Sequence, residues 1–137
     1  MQVKEFLNKI RYIDMMIDCK LEQINGLRDR LTSIGSPMGE KVQSHLNPDK
    51  FSNTISKIIE LENEINADID NLVDLKCEAR KSIEQLNDDR EKLVLYKRYF
   101  ENKTFEEISV EMNYSWRRIH QFHSDALMQL EMLHVIS

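Results

Sequence analysis

The chain has 137 residues, enough for one domain or for a small domain with a helical extension. Charged residues make up 31% and aromatics 7%, with only three Gly and two Pro, a balance that favours long helices over sheets. A formal net charge of −5 argues against a general nucleic-acid binder held by a basic surface, but it is compatible with a local basic patch.

The start, MQVKEFLNKI, alternates polar and apolar residues and so does not read as a secretory signal. No apolar run approaches the ~18 residues of a membrane span. A cytoplasmic location without membrane contact is expected. The cysteines, Cys19 and Cys77, lie far apart in no ligand-like spacing and read as reduced thiols.

Val3, Ile10, Ile17, Ile24 and Leu31 recur at seven-residue intervals, with Phe6, Ile13 and Leu27 between them. That rhythm predicts a long helix packed along its length in coiled-coil fashion, interrupted only by Lys20. Thr32 to Asp49 breaks the pattern with both prolines and two glycines, and is expected to be a loop. A second helix is expected from Asn47-Pro48, with Asn as cap and Pro at the first helical position. Its seam is expected to run through Phe51, Ile55, Ile58, Ile65, Ile69, Leu72, Ala79, Ile83 and Leu86, with Ile59 and Val73 widening the stripe. Joined by one loop, the two helices fold back as an antiparallel hairpin. The wide stripe on the second helix calls for a further partner, either another subunit, giving a homodimer, or the chain's own C-terminal part. The seam positions singled out are Ile10, Ile17, Ile24, Ile58, Ile65 and Leu72. Polar Glu62 and Lys76 within the seam can set register without any other role.

Asn87-Asp88-Asp89 marks the passage to a last segment, so the expected division is a hairpin over 1–87, with its loop at 32–49, and a C-terminal domain over 88–137. Three short helices follow. The first ends near Phe100 and ENK turns the chain. Thr104 then caps the second helix in a capping box with Glu107. Ser115 caps the third after Met112 and the turn at Asn113-Tyr114. Phe105, Ile108 and Met112 face inward from the second helix, and Ile119, Phe122, Ala126, Leu127 and Leu130 from the third. Ser109 is small where the helices cross. Asn113, and Asn102 before it, suit left-handed corner positions. The proportions are those of a helix-turn-helix. The fold class is therefore all-α: a long antiparallel helical hairpin, or coiled coil, followed by a three-helix helix-turn-helix domain.

The segment RYFENKTFEEIS, MNYSWRRI and DAL..L resembles the C-terminal helix-turn-helix of bacterial sigma factors, the region that reads the −35 promoter element. It departs from that pattern at Asn102 and Asn113, where Gly is frequent, and at Ser109, where Ala is usual. With KIIELENEINADIDNLVDLK before it, the whole chain also resembles small phage and prophage proteins grouped with ArpU- and RinA-type late transcription regulators. These resemblances imply double-stranded DNA as partner and make RNA polymerase a second candidate. A complete sigma factor is not expected, because the sequence holds no basic, aromatic-rich segment of the kind that melts the −10 element.

The resemblance carries base reading onto Trp116, Arg117, His120 and Gln121. Helical geometry agrees, since those positions lie opposite Ile119, Phe122 and Ala126, at the end by which a recognition helix enters the major groove. Arg117 can form a bidentate pair with guanine and Gln121 one with adenine. Lys103, Ser115 and Arg118 are candidates for phosphate contacts. Blander readings stand beside these. Trp116 can cover the domain edge, Arg117-Arg118 can be a solvated pair, and His123 can be structural. His120-x-x-His123 has no third metal ligand in view, so neither a metal nor any other cofactor is expected.

Residues 88–137 carry seven Lys and Arg against nine Asp and Glu, so this domain alone has few charges to spare for phosphates. Nothing in the sequence points to an enzyme: no nucleophile–base pair, metal cluster or phosphate loop is evident. The leading expectation is a sequence-specific DNA-binding transcription regulator, acting as a dimer or beside RNA polymerase. The alternatives are a protein–protein adaptor, anti-sigma or polymerase-binding, and a small terminase-like DNA-packaging subunit.

Overall fold

The protein was analysed as a computed structural model that describes residues 2–34 and 48–136. Most of the expected loop, and the Asn47 cap, lie outside them. The described residues form helices joined by short turns, without a strand. Five helices follow in order: α1 (Val3–Ile34), α2 (Pro48–Ile83), α3 (Asp89–Leu95), α4 (Phe105–Met112) and α5 (Trp116–Ile136). Between α3 and α4, Tyr96–Phe100 forms a single π-helical turn. The fold is all-α, a helical hairpin followed by a helix-turn-helix. Packing divides it into two compact units, Met15–Asn71 and the combination of Met1–Asp14 with Leu72–Ser137.

In the first unit, polar contacts record the direction of the hairpin. Lys20 Nζ lies 2.6 Å from an Asp68 oxygen and 3.7 Å from Glu64, and Arg28 donates to Glu62 at 2.8 Å. Moving up α1 from 20 to 28 moves the partner down α2 from 68 to 62, so the helices run antiparallel. Lys20, the residue that interrupts the heptads, thus faces an acid that sits in the opposing seam. A charged pair within an otherwise apolar seam penalises other registers, because a slip leaves both groups without partners. Of the seam residues, Ile17, Ile24, Ile58 and Ile65 are buried in this unit, and Ile10 and Leu72 are buried in the second.

The α2 stripe is placed differently from its sequence reading at three positions. Phe51, Ile55 and Ile69 are exposed. The inward positions are Ile58, Ile65, Leu72 and Ala79, with Leu61, Asp68 and Leu75 half-buried between them. Glu62 and Lys76 are half-buried as well, so the clear exchange is at one position, where Asp68 and not Ile69 turns inward. A one-residue offset turns a side chain by about 100°. Asp68 hides this register in the sequence, since a carboxylate does not read as a seam residue.

In the second unit, Val3, Leu7 and Ile10 of α1 are buried. The Val3 N–H donates to the Glu131 carboxylate of α5, so one orphan donor at the start of α1 is satisfied. The core of the helix-turn-helix is Val94, Ile108, Ile119 and Phe122, with Phe105, Met112 and Tyr114 packed against it. Its boundaries follow local chemistry. Asp88 caps α3 by accepting from the Arg90 N–H at 2.8 Å. Thr104 and Glu107 form the reciprocal capping box of α4. Ser115 Oγ accepts from the Arg118 N–H at 3.1 Å to start α5. Each such cap is worth about 1 kcal/mol.

Both corners turn on left-handed asparagines, Asn102 at φ 57° and Asn113 at φ 59°. At the second corner the Tyr114 N–H reaches back to the Ser109 carbonyl at 3.2 Å, while Ser109 Oγ donates to the Tyr114 carbonyl at 2.6 Å. Ser109 is thus more than a small residue at a crossing, for it bonds across the corner.

Reversing the charge at Lys20→Glu places three carboxylates together, and the thermal midpoint should drop. The swapped pair Lys20→Glu with Asp68→Lys should recover part of that loss, read as a positive coupling in a double-mutant cycle of melting curves. At the corner, Asn113→Gly should be tolerated, whereas Asn113→Val should cost about 1–2 kcal/mol in urea unfolding, the penalty for a β-carbon in left-handed backbone.

Candidate nucleic-acid interface

The N-terminal face of α5 brings together the residues singled out as readers. Trp116, Arg117 and Gln121 are exposed, Trp116 at 52%. Beneath them Ile119 and Phe122 are buried, so α5 divides lengthwise into a core half and an outward half.

His120 is placed differently from its neighbours. Its ring lies between Trp116, 3.9 Å away by centroids, and Phe105, 4.1 Å away. Nε2 is enclosed and has no hydrogen-bond partner among the described residues. His120 therefore props the Trp116 ring against α4, and its own edge is only partly free to meet a base. Gln121 is partly engaged too, since its Oε1 accepts from Arg118 Nη1 at 2.8 Å.

The phosphate candidates separate in the same way. Ser115 is committed to its cap, although it remains exposed. The Arg118 guanidinium lies 4.5 Å from the Phe122 ring centroid and is held beside the corner. The Lys103 ammonium contacts both Glu101, at 2.9 Å, and Glu111. Glu111 also lies 3.6 Å from Lys97. Lys103 is thus neutralised within the chain, and a phosphate must compete with two carboxylates to reach it.

Two features of the support were missed in the sequence. The π-turn is closed by the Glu101 N–H bonding to the Tyr96 carbonyl and the Lys103 N–H to the Lys97 carbonyl, each at 3.0 Å. Tyr99 on that turn is buried, and its hydroxyl lies 2.7 Å from His123 Nε2 on α5. Burial pushes the His123 ring down to about 4, helped by the nearby charges of Lys4, Arg98 and His120. The ring is neutral at pH 7 and can accept the Tyr99 proton, while burial raises the Tyr99 phenol and keeps it protonated. An aromatic just before a turn, one residue from the helix end expected near Phe100, was the available signal.

Glu91 on α3 is also buried, with Oε2 lacking a partner among the described residues. Burial raises its carboxyl, and the charges of Asp88 and Asp125 add to the shift. The Arg90 and Arg118 guanidinium groups lie 4.9 and 4.5 Å from the Phe122 ring centroid. Among the described residues no group of three or more His, Cys, Asp or Glu is arranged to hold a metal. Cys19 and Cys77 are free and exposed.

Residues 83–131 match the family model for sigma-70, region 4. That region is a DNA-binding helix-turn-helix, a regulatory domain and not an enzyme family. The match covers just over a third of the chain and includes α3, the π-turn, α4 and most of α5. Comparisons with curated proteins and with solved structures gave no match. No described helix is long and apolar enough to cross a membrane.

Within this sigma-70 region 4-like segment, loss of the Tyr99–His123 bond strands a buried ring nitrogen, so Tyr99→Phe should cost about 1–3 kcal/mol in urea unfolding. The pH dependence has a definite sign. The unfolded imidazole takes up a proton near 6.5 and the folded one only near 4. The contribution of His123 is therefore complete above about 6.5 and is lost as pH falls towards 4. The difference in urea midpoint between the wild-type chain and Tyr99→Phe/His123→Phe should shrink steadily over that window. A constant difference would rule out a neutral buried His123.

Proposed function

We propose that the chain is a sequence-specific DNA-binding transcription regulator, in which residues 88–137 read DNA and residues 1–87 supply a coil for partner contacts. One observation carries the reading. The N-terminal turns of α5 expose Arg117, Gln121 and Trp116 directly above a packed helix-turn-helix core, within the segment that matches sigma-70, region 4. Arg117 is the guanine reader, Gln121 pairs with adenine through its amide, and the Trp116 ring contacts a thymine methyl or a sugar. His120 assists by holding Trp116 in place. Ser115 and Arg118 approach phosphates at the helix start, and Lys103 does so once it is released from its carboxylates.

A homodimer is part of the proposal. The seam isoleucines are buried within this chain, so a second copy needs another surface. Leu21, Ile55, Ile59 and Ile69 are exposed on α1 and α2 and favour such a contact. RNA polymerase is the alternative partner, in keeping with the sigma-like segment. Phage origin rests on the resemblance of coil plus helix-turn-helix to the phage regulators. The exposed apolar residues on the hairpin equally favour the second reading, a protein-binding adaptor.

Selection from random duplex pools with the full chain should enrich one motif, and light scattering should give twice the chain mass. Arg117→Ala should weaken the selected site by about 1–3 kcal/mol and relax preference at one base pair, while leaving the melting curve unchanged. Failure to enrich any motif at low salt, with polymerase retained in pull-downs, would move the assignment to the adaptor.

A further inference from the structure

Helix α2 carries two lines of side chains at seam spacing. The first, through Ile58, Ile65 and Leu72, is buried within the chain. The second runs Ile55, Ile59, Glu62, Asn66, Ile69 and Val73, in alternating steps of four and three residues. That alternation is the pattern by which one helix packs along another. Yet Ile55, Ile59, Ile69 and Val73 are all exposed, Val73 at 60%. Single exposed aliphatics are ordinary, whereas a row of them along one helix marks a contact surface.

The two sides of the hairpin differ in character. On one side Arg30 of α1 shares a groove with Lys57, Glu60 and Glu64 of α2, so that side is charged. On the other side Arg28 bonds Glu62, a member of the second stripe. Seven residues back along α1 and seven forward along α2, the same register sets Leu21 level with Ile69, and both are exposed. The solvent-side border of the stripe is Ser56, Asn63 and Asp70, which adds only one charge. Depletion of charge around exposed aliphatics is what the centre of a protein interface shows.

The order of the stripe identifies its occupant. Read in reverse, the spacing repeats itself about position 64, so that Ile55 matches Val73, Ile59 matches Ile69 and Glu62 matches Asn66. A second copy of α2 laid antiparallel therefore makes each of these pairs twice across a two-fold axis. The outer layers are aliphatic on both sides. In the central layers the Asn66 amide can donate to the Glu62 carboxylate of the second copy, whose charge its own Arg28 already balances. A parallel pairing sets Glu62 against Glu62 instead.

We propose that two copies of this chain pair through the second stripe, with their α2 helices antiparallel and the Glu62–Asn66 layers at the centre. The inference rests on the homodimer in the reading above and gives it a surface and a register. A polar layer within an apolar seam costs some stability, but it penalises parallel and slipped pairings.

The test uses the full chain. Light scattering should give twice the chain mass for the wild type and one chain mass for Ile59→Glu/Ile69→Glu. Circular dichroism should show the same helix content for both, since the two side chains are exposed within one copy. Register is read with cysteines, after Cys19→Ser and Cys77→Ser remove the exposed thiols. Ile59→Cys/Ile69→Cys should oxidise to a covalent dimer, because these positions face each other across the pair. Neither substitution alone should do so, because each position then lies about 15 Å along the axis from its own copy. Single-cysteine chains that cross-link as readily as the double one overturn the antiparallel pairing. A dimer that survives Ile59→Glu/Ile69→Glu overturns this face and leaves the homodimer standing. A wild-type chain that is monomeric at its highest soluble concentration overturns both. A dimer that meets these expectations but enriches no DNA motif supports the interface and removes only the DNA-binding reading.

Discussion

The bond between Tyr99 and His123 decides which way the recognition helix faces. It joins the π-turn to the middle of α5 through two buried, uncharged groups. An apolar core tolerates some rotation of a helix, because dispersion contacts are individually weak and non-directional. A buried hydroxyl–imidazole contact tolerates far less, because any turn that separates the two leaves both unsatisfied. With His123 directed inward, Arg117 and Gln121 are carried to the opposite side. The orientation of the outward face is therefore set by a contact on the opposite side of α5 from Arg117 and Gln121.

That bond works only because the π-turn presents Tyr99 to it. The wide turn ends in Asn102 at positive φ, and the chain then enters the capping box of Thr104 and Glu107. Asn102 serves twice. Its backbone makes the corner and its side-chain amide donates to Asp14 of α1. Glycine at this position supplies the backbone conformation but not the amide. The choice of Asn thus couples a local turn to the seating of the first turns of α1, which pack in one compact unit with the helix-turn-helix.

Much of this was legible where the chemistry is local. Caps at Thr104 and Ser115, and the left-handed corner at Asn113, involve partners within five residues, so spacing and residue type suffice to expect them. The buried heptad positions Ile10, Ile17, Ile24, Ile58, Ile65 and Leu72 were likewise visible as a period. Where a distant partner decides, the sequence was silent. Ile69 looked like a seam residue, but Asp68, bonded to Lys20, takes the inward position beside it, and Phe51 and Ile55 are exposed as well. Lys103 looked like a free cation until Glu111, on the far turn of α4, closed on it. His120 looked like an outward reader, and only the placement of Phe105 and Trp116 around its ring shows otherwise.

The same distinction bears on how an acidic chain can contact DNA. Net charge counts every group, but a phosphate meets only cations that no carboxylate already holds. In the helix-turn-helix segment the lysines fall largely into the held class, and the arginines Arg98, Arg117 and Arg118 into the free one. Guanidinium groups suit this division, since they stay charged when packed on Phe105 or Phe122. The neutral His123 fits the same field. Surrounded by Lys4, Arg98 and His120, a protonated ring there adds a further like charge to an already positive region. Burial, which keeps His123 neutral, therefore preserves its bond with Tyr99 and avoids a further like charge beside Lys4 and Arg98.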